Sequence, residues 1–134
     1  MPLRAFIVED NPLIRQNLIE TLQEIAAAPI VGYAESEDEA VRWMTANPTA
    51  WDVVILDLFL KQGNGLGVLG KCSDRASDQT VVIFSNYATD AMRERCMQLG
   101  ADAVFDKSNE IESLIGFFSS ADPSHQAQQP LQIG

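Results

Sequence analysis

The sequence is poor in the residues that build thiolate metal sites and redox centres, with two cysteines and one histidine among 134 residues. Cys72 and Cys96 stand 24 positions apart and His125 lies in a polar carboxy-terminal stretch, so neither a zinc-ligand spacing nor a redox pair is present. Both thiols read as reduced and buried. Positive charge is scarce as well. Nine Lys and Arg against nineteen Asp and Glu give a net charge of −10, which disfavours sequence-independent adhesion to phosphate backbones or anionic lipid. No apolar run approaches the roughly 20 residues that span a bilayer, and Met1-Pro2-Leu3-Arg4 opens no long apolar signal segment. The chain therefore reads as soluble and cytoplasmic.

The chain has enough apolar material, 46% of its residues, for one well-filled core, and it is too short for two ordinary domains. The first strand is expected from Leu3 to Val8. Asn11-Pro12 then supplies a helix cap with proline at the first helical position. The helix should run to about Ala27, with Ile14, Leu18, Leu22 and Ile25 facing the core and Arg15, Gln16, Glu20 and Glu24 largely elsewhere. A strand from Ile30 to Ala34 leads into Ser36-Glu37-Asp38-Glu39, a capping-box pattern that starts a second helix, ended near Asn47-Pro48. The acidic cluster Glu35, Glu37, Asp38 and Glu39 could suggest a metal site, but the helix dipole favours carboxylates in a first turn without one.

The third strand is expected over Val53 to Leu56, followed by Gly63-Asn64-Gly65 and a weak helix from about Gly65 to Asp74. A fourth strand, Val81 to Phe84, precedes a helix from about Thr89 to Leu99, with Met92, Cys96 and Leu99 on one face and Gly100 as its stop. Strand five is Ala103 to Phe105. The last helix, about Asn109 to Phe118, carries Ile111, Leu114, Ile115 and Phe118 on one stripe, with Phe117 off it. From Ala121 onward the composition is too polar to offset the entropy of ordering, so residues 121–134 are expected to be a disordered tail. No internal repeat is visible. Five strand–helix alternations argue for a single doubly wound, five-stranded parallel sheet with helices on both faces, whose sites lie beyond the C-terminal strand edges.

Ionisable groups collect at that edge: Glu9 and Asp10 after the first strand, Asp57 after the third, Ser85 after the fourth, Asp106 and Lys107 after the fifth. Three carboxylates crowded together repel one another unless a cation with a taste for hard oxygen ligands neutralises them, and Mg2+ fits that need. Mg2+ also bridges to phosphate oxygens, so the set points to phosphoryl transfer with Asp57 as nucleophile. Lys107 would offset phosphoryl charge and the Ser85 hydroxyl would donate to one of its oxygens. Taken alone, Lys107 is as easily explained by an ion pair with Asp106.

In order, spacing and placement, these fragments resemble the receiver domain of two-component response regulators. The resemblance covers roughly residues 3 to 120 and rests on five of them: Glu9-Asp10, Asp57 in Ile-Leu-Asp-Leu with Gly65 eight residues on, Ser85 after Val-Val-Ile-Phe, Gly100-Ala101-Asp102, and Phe105-Asp106-Lys107. It implies a flavodoxin-like (βα)5 fold, a receiver over residues 1–120, and a histidine kinase or phosphotransfer protein that delivers phosphate to Asp57 with Mg2+. It further implies that Asp10, Asp57 and the Phe59 carbonyl hold the metal, with Glu9 acting through water. Ser85 and Lys107 would hold phosphoryl oxygens, and Phe105 would be the aromatic switch that turns inward as Ser85 moves. The phosphorylated surface of helix four, strand five and helix five would then meet an output partner or a second copy, with Arg93, Arg95 and Phe117 as candidate contacts or as ordinary solvated surface.

The chain departs from the family's usual pattern in several places. Asn86 and the bulky Tyr87 follow Ser85, and Phe59 stands two residues after Asp57. Together these are expected to restrict access of water and phosphodonor and so to slow loss of the phosphoryl group. Lys61 and Ser108 stand where many relatives have proline, which argues against a cis peptide after Lys107.

Other readings are weaker. The glycines from Gly65 to Gly70 mimic a dinucleotide fingerprint but do not follow a first strand, and Gly70-Lys71-Cys72 lacks the hydroxyl of a P-loop. A haloacid-dehalogenase-like phosphatase shares the aspartyl phosphate, Mg2+, hydroxyl and lysine, yet needs an aspartate where Phe59 stands. A pseudo-receiver that binds partners without phosphate would have no need of intact Asp10, Asp57, Ser85 and Lys107. The expectation is a signalling module that catalyses only its own phosphotransfer and dephosphorylation. The stretch after residue 120 is too short for a DNA-binding domain, so the chain should not itself read DNA. A stand-alone receiver and the amino-terminal piece of a longer regulator both remain open.

Overall fold

The computed structural model describes residues 3–121, with side chains to Phe118. Five strands alternate with five helices: β1 Ala5–Val8, α1 Pro12–Ile25, β2 Ile30–Ala34, α2 Glu37–Ala46, β3 Val53–Leu56, α3 Gly65–Lys71, β4 Thr80–Ser85, α4 Asp90–Gln98, β5 Ala103–Asp106 and α5 Ile111–Ala121, with a short 3-10 turn, Cys72–Asp74, after α3. The strands form one all-parallel sheet of order β2-β1-β3-β4-β5. No helix among the described residues is long and apolar enough to cross a membrane.

Strand alternation divides the core in two. Phe6 and Val8 of β1, Val54 and Leu56 of β3, and Val81 and Ile83 of β4 meet α2, α3 and α4 through Ala40, Met44, Val68, Leu69 and Cys96. Ala5, Ile7, Val53, Ile55, Val82 and Phe84 meet α1 and α5 through Leu18, Leu22, Leu114 and Phe118. Burial on both faces explains why β1 and β3 read as continuous apolar runs. Each such side chain contributes roughly 1.5–3 kcal/mol relative to exposure. On the β2 side, Trp43 of α2 stacks on Phe6 with ring centroids 4.1 Å apart.

The caps match their sequence signals. The Asn11 side-chain oxygen Oδ1 accepts from the backbone N–H of Leu13 and Ile14, and the side chains of Thr89 and Asn64 cap α4 and α3 by accepting from the N–H of Met92 and Gly67. Ser36 accepts from the Glu39 N–H, while the Glu39 carboxylate reaches one residue further back than a capping box requires, to the Glu35 N–H. The acidic cluster proves structural: Glu35 pairs with Arg15 and Lys61, and Glu37 accepts from the Asn64 N–H. Both cysteines are free and buried, and burial pushes the Cys72 thiol up to about 11.

Some expectations are corrected. Ile25 is 62% exposed because α1 ends there, so the core stripe stops at Leu22. Leu99, at the C-cap of α4, is also exposed. The helix expected to reach Asp74 stops at Lys71 and tightens into the 3-10 turn, and α5 runs on to Ala121. The expected tail otherwise lies outside the described residues.

Just past α1, Ala27 takes φ +51°, the left-handed region that costs an L-residue roughly 1–2 kcal/mol. Ala27→Gly removes that strain at the expense of a more flexible unfolded chain, and is expected to raise the urea midpoint by about 1 kcal/mol equivalent. An unchanged or lowered midpoint would count against the strain.

Candidate functional site

Register brings the acidic groups together. Val8 pairs with Leu56 across β1 and β3, so the next residues, Glu9 and Asp57, emerge side by side, and Asp10 follows. Glu9, Asp10 and Asp57 each offer an oxygen within 4.8 Å of the others. Ser85 pairs with Asp106 across β4 and β5, and the Lys107 N–H donates to the Ser85 carbonyl at 3.1 Å, which places the lysine beside the cleft. Its Nζ donates to Asp57 Oδ2 at 2.9 Å and to Glu9 Oε1. The partner of Lys107 is therefore not Asp106, whose carboxylate accepts from the Ser108 N–H at 2.7 Å.

Asp57, Glu9 and the end of Lys107 are all largely buried, and one ammonium faces two carboxylates with a third nearby. Burial pushes the Glu9 carboxyl up, against the pull of Lys107 and of the Asn11 N–H, and the Asp57 charge adds to the rise. Burial alone would lower Lys107, but its hydrogen bonds to Glu9 and Asp57 hold it above the ordinary lysine value, so it remains a cation. The surplus negative charge, on hard oxygen donors only, suits a small divalent cation. Both Glu9 oxygens already accept hydrogen bonds, Oε1 from Lys107 and Oε2 from the Asn11 N–H at 3.0 Å.

The remaining site residues frame the cleft. Ser85 is fully buried, with its hydroxyl accepting from the Tyr87 N–H at 3.2 Å. Phe105 is half-buried and meets Phe117 edge to face at 6.2 Å, so Phe117 packs inward rather than standing free. Phe59 and Tyr87, each more than half exposed, put their rings 4.2 Å apart and bridge the loops after Asp57 and Ser85. Asn86 accepts from the Ser108 hydroxyl at 3.3 Å. The peptide after Lys107 is trans. Gly65 is required sterically, because a Cβ there would overlap the Asp57 carbonyl oxygen and crowd the Leu58 backbone.

Sequence reasoning missed three long side chains. Arg15, placed on the outer face of α1, instead donates to the Glu9 carbonyl at 2.9 Å, pairs with Glu35 and lies over the Tyr33 ring. Arg93, a candidate output contact, is bonded internally to Ala88, Val104 and Glu110. Glu110 was not singled out at all. Glu110 also bonds Asp106 four residues back, a spacing the sequence offered, but the contacts of Arg15 with Glu35 and of Arg93 with Val104 and Glu110 come from the tertiary structure.

Residues 5–118 match the family described as response regulator receiver domain. The chain belongs to that family. Members are signalling modules rather than true enzymes. This receiver is 25% identical over 118 residues to the response regulator UvrY of Escherichia coli O157:H7, covering 88% of this chain and 53% of that protein. It is 32% identical over 89 residues to the DNA-binding transcriptional activator DevR/DosR of Mycobacterium tuberculosis, covering 66% of this chain and 40% of that protein. The receiver thus spans about half the length, or less, of these curated relatives. The fold superposes on a DNA-binding response regulator of the LuxR family from Staphylococcus aureus with a TM-score of 0.77 at 21% identity, covering 89% of this chain and 98% of that one. With the phosphorylated cyanobacterial phytochrome response regulator RcpA the TM-score is 0.74 at 20% identity, covering 97% and 98% of the two chains.

The charge imbalance has a measurable sign. A carboxyl whose folded pKa is raised stabilises the fold below the ordinary carboxylate range, and that stability is lost as pH rises through the raised value. The raised Lys107 acts over a higher window: its stabilisation is complete below the ordinary lysine pKa and is lost as pH rises through the folded value. In metal-free urea melts at pH 7, Lys107→Met is expected to cost about 3 kcal/mol, because it strands two buried carboxylates. Glu9→Gln removes a like charge but keeps one acceptor oxygen for the two donors Lys107 and Asn11 N–H, so it should cost less than Lys107→Met, within about 2 kcal/mol. A cost for Glu9→Gln equal to that of Lys107→Met would contradict this account.

Proposed function

We propose that this receiver accepts a phosphoryl group on Asp57 from a histidine kinase or phosphotransfer protein, and that the modification switches its output surface. The observation that carries the reading is the convergence of Asp57, Lys107 and the oxygens of Glu9 and Asp10 in one buried cleft at the C-terminal strand edge. An Asp57 oxygen attacks phosphorus, a P–O bond forms as the donor's N–P bond breaks, and the leaving histidine nitrogen takes the electron pair. Lys107, already bonded to Asp57, transfers a hydrogen bond to a phosphoryl oxygen as charge moves there. Asp10, Asp57 and the Phe59 carbonyl would hold Mg2+, with Glu9 acting through water. When bound, Mg2+ neutralises charge on the phosphoryl oxygens.

The added group brings about 1.5–2 negative charges. Ser85 then leaves the Tyr87 N–H to donate to the phosphoryl group, and Phe105 follows into the space beneath. Contacts made in only one state are what shift the equilibrium. The face of α4, β5 and α5 carries the response to an output partner or a second copy, with Arg95 exposed on it. Residues 1–120 form the receiver unit of a cytoplasmic protein, and this part of it reads no DNA.

Incubation with acetyl phosphate and Mg2+ should add one phosphoryl group by mass spectrometry and none in Asp57→Asn. Absence of modification in the wild type would favour a phosphorylation-independent binding module instead. Phe59, Asn86 and Tyr87 restrict water at the cleft mouth. A Phe59→Ala/Tyr87→Ala variant is accordingly expected to lose its phosphoryl group at least about threefold faster, a barrier change of roughly 0.7 kcal/mol. An unchanged lifetime would remove the steric argument.

A further inference from the structure

The β5–α5 loop that carries Lys107 is held by an unusual share of side-chain bonds. Arg93, on α4, uses all three guanidinium nitrogens on three different segments. Its Nε donates to the Ala88 carbonyl at 3.0 Å in the β4–α4 loop, its Nη1 to the Val104 carbonyl at 2.9 Å in β5, and its Nη2 to Glu110 Oε1 at the start of α5. The same Glu110 oxygen accepts from the Asp106 N–H at 2.8 Å, and the Glu110 N–H returns to the Asp106 carbonyl at 2.8 Å. Asp106 in turn accepts from the Ser108 N–H, and the Ser108 hydroxyl reaches Asn86. Lys107 sits between these closures, with its own N–H on the Ser85 carbonyl.

We propose that Arg93 and Glu110 are positioning residues for Lys107, a polar clamp that fixes the loop backbone so that the lysine ammonium reaches Asp57. This rests on the phosphoacceptor reading of the same cleft. The physical need is specific. Lys107 has four rotatable side-chain bonds and Ser108 places no ring constraint on the loop, so the direction of the lysine depends on where its backbone is pinned. A guanidinium is a planar fork with several fixed donors, whereas an ammonium is a single point of charge. Only arginine at position 93 can satisfy three separated carbonyl and carboxylate oxygens at once. The pair therefore couples the loop after Ser85, strand β5 and the start of α5 into one unit around the lysine. Misplacing a reacting or charge-stabilising group by about 1 Å can cost up to about a hundredfold in rate.

The test compares Arg93→Lys, Glu110→Ala and the double variant in two measurements on the whole chain. The first is the initial rate of phosphorylation by acetyl phosphate with Mg2+, a donor with no protein surface to recognise. The second is amide hydrogen exchange at Lys107 and Ser108 without phosphodonor. Each single substitution is expected to slow phosphorylation about tenfold and to speed exchange at both amides. The double variant should be no slower than the worse single one, since both remove the same unit. Arg93→Lys keeps the charge, so a wild-type rate in that variant would overturn the fork argument. Wild-type exchange at Lys107 and Ser108 in both single variants would overturn the clamp itself. If the wild type takes no phosphoryl group, the phosphoacceptor reading fails, and the exchange measurement still decides whether the clamp holds the loop. Should Glu110→Ala prove too unstable, Ser108→Ala probes the other closure and should speed exchange at the same amides.

Discussion

A single ammonium group faces two buried carboxylates, and the fold is organised around that imbalance. Lys107 reaches Asp57 and Glu9 only because β1, β3 and β5 run parallel, so that residues far apart in sequence leave the sheet at the same edge. Burial makes the arrangement consequential. Desolvation beside the apolar strand ends raises Glu9, the Asp57 charge adds to the rise, and the excess of carboxylates leaves the cleft in need of further positive charge. A bound divalent cation would answer that need with hard oxygen ligands already in place.

The sheet was largely legible because its central strands, β1, β3 and β4, are buried on both faces. β2 and β3 fall on the residues expected, and β1, β4 and β5 differ only at their ends. Continuous apolar runs bounded by ionisable residues leave little choice of register, and the same boundaries mark Glu9, Asp57, Ser85 and Lys107. Helix ends were less legible. Ile25 and Leu99 fit an apolar stripe by spacing, but each stands where its helix ends and the sheet no longer lies beneath it.

Long polar side chains were least legible of all. Lys107 reads equally well as a partner of its neighbour Asp106, and only the approach of β1 and β3 decides for Glu9 and Asp57. Arg15 and Arg93 have helical neighbours that suggest solvated faces, yet both turn toward carbonyls supplied by other segments. Gly65 shows the reverse case. Its spacing from Asp57 belongs to the family resemblance, and the reason for it, the close approach of the Asp57 carbonyl, exists only in three dimensions.

At the opposite rim the strand starts are fastened by polar groups. Arg4 grips Asp52 ahead of β1 and β3, Gln79 donates to the Pro48 and Trp51 carbonyls ahead of β4, and Asp102 joins Arg75 to the Val81 N–H ahead of β5. The Ala5 N–H donates to the Pro29 carbonyl ahead of β2. The sheet is thus a plate clamped along one margin. Along the other margin the loops are joined to one another by the Phe59–Tyr87 contact, the Ser108–Asn86 bond and the Arg93–Glu110 clamp. The polar connections at the Asp57 edge therefore run sideways, from loop to loop across the top of the sheet, while those at the opposite rim join the segments that lead into the strands.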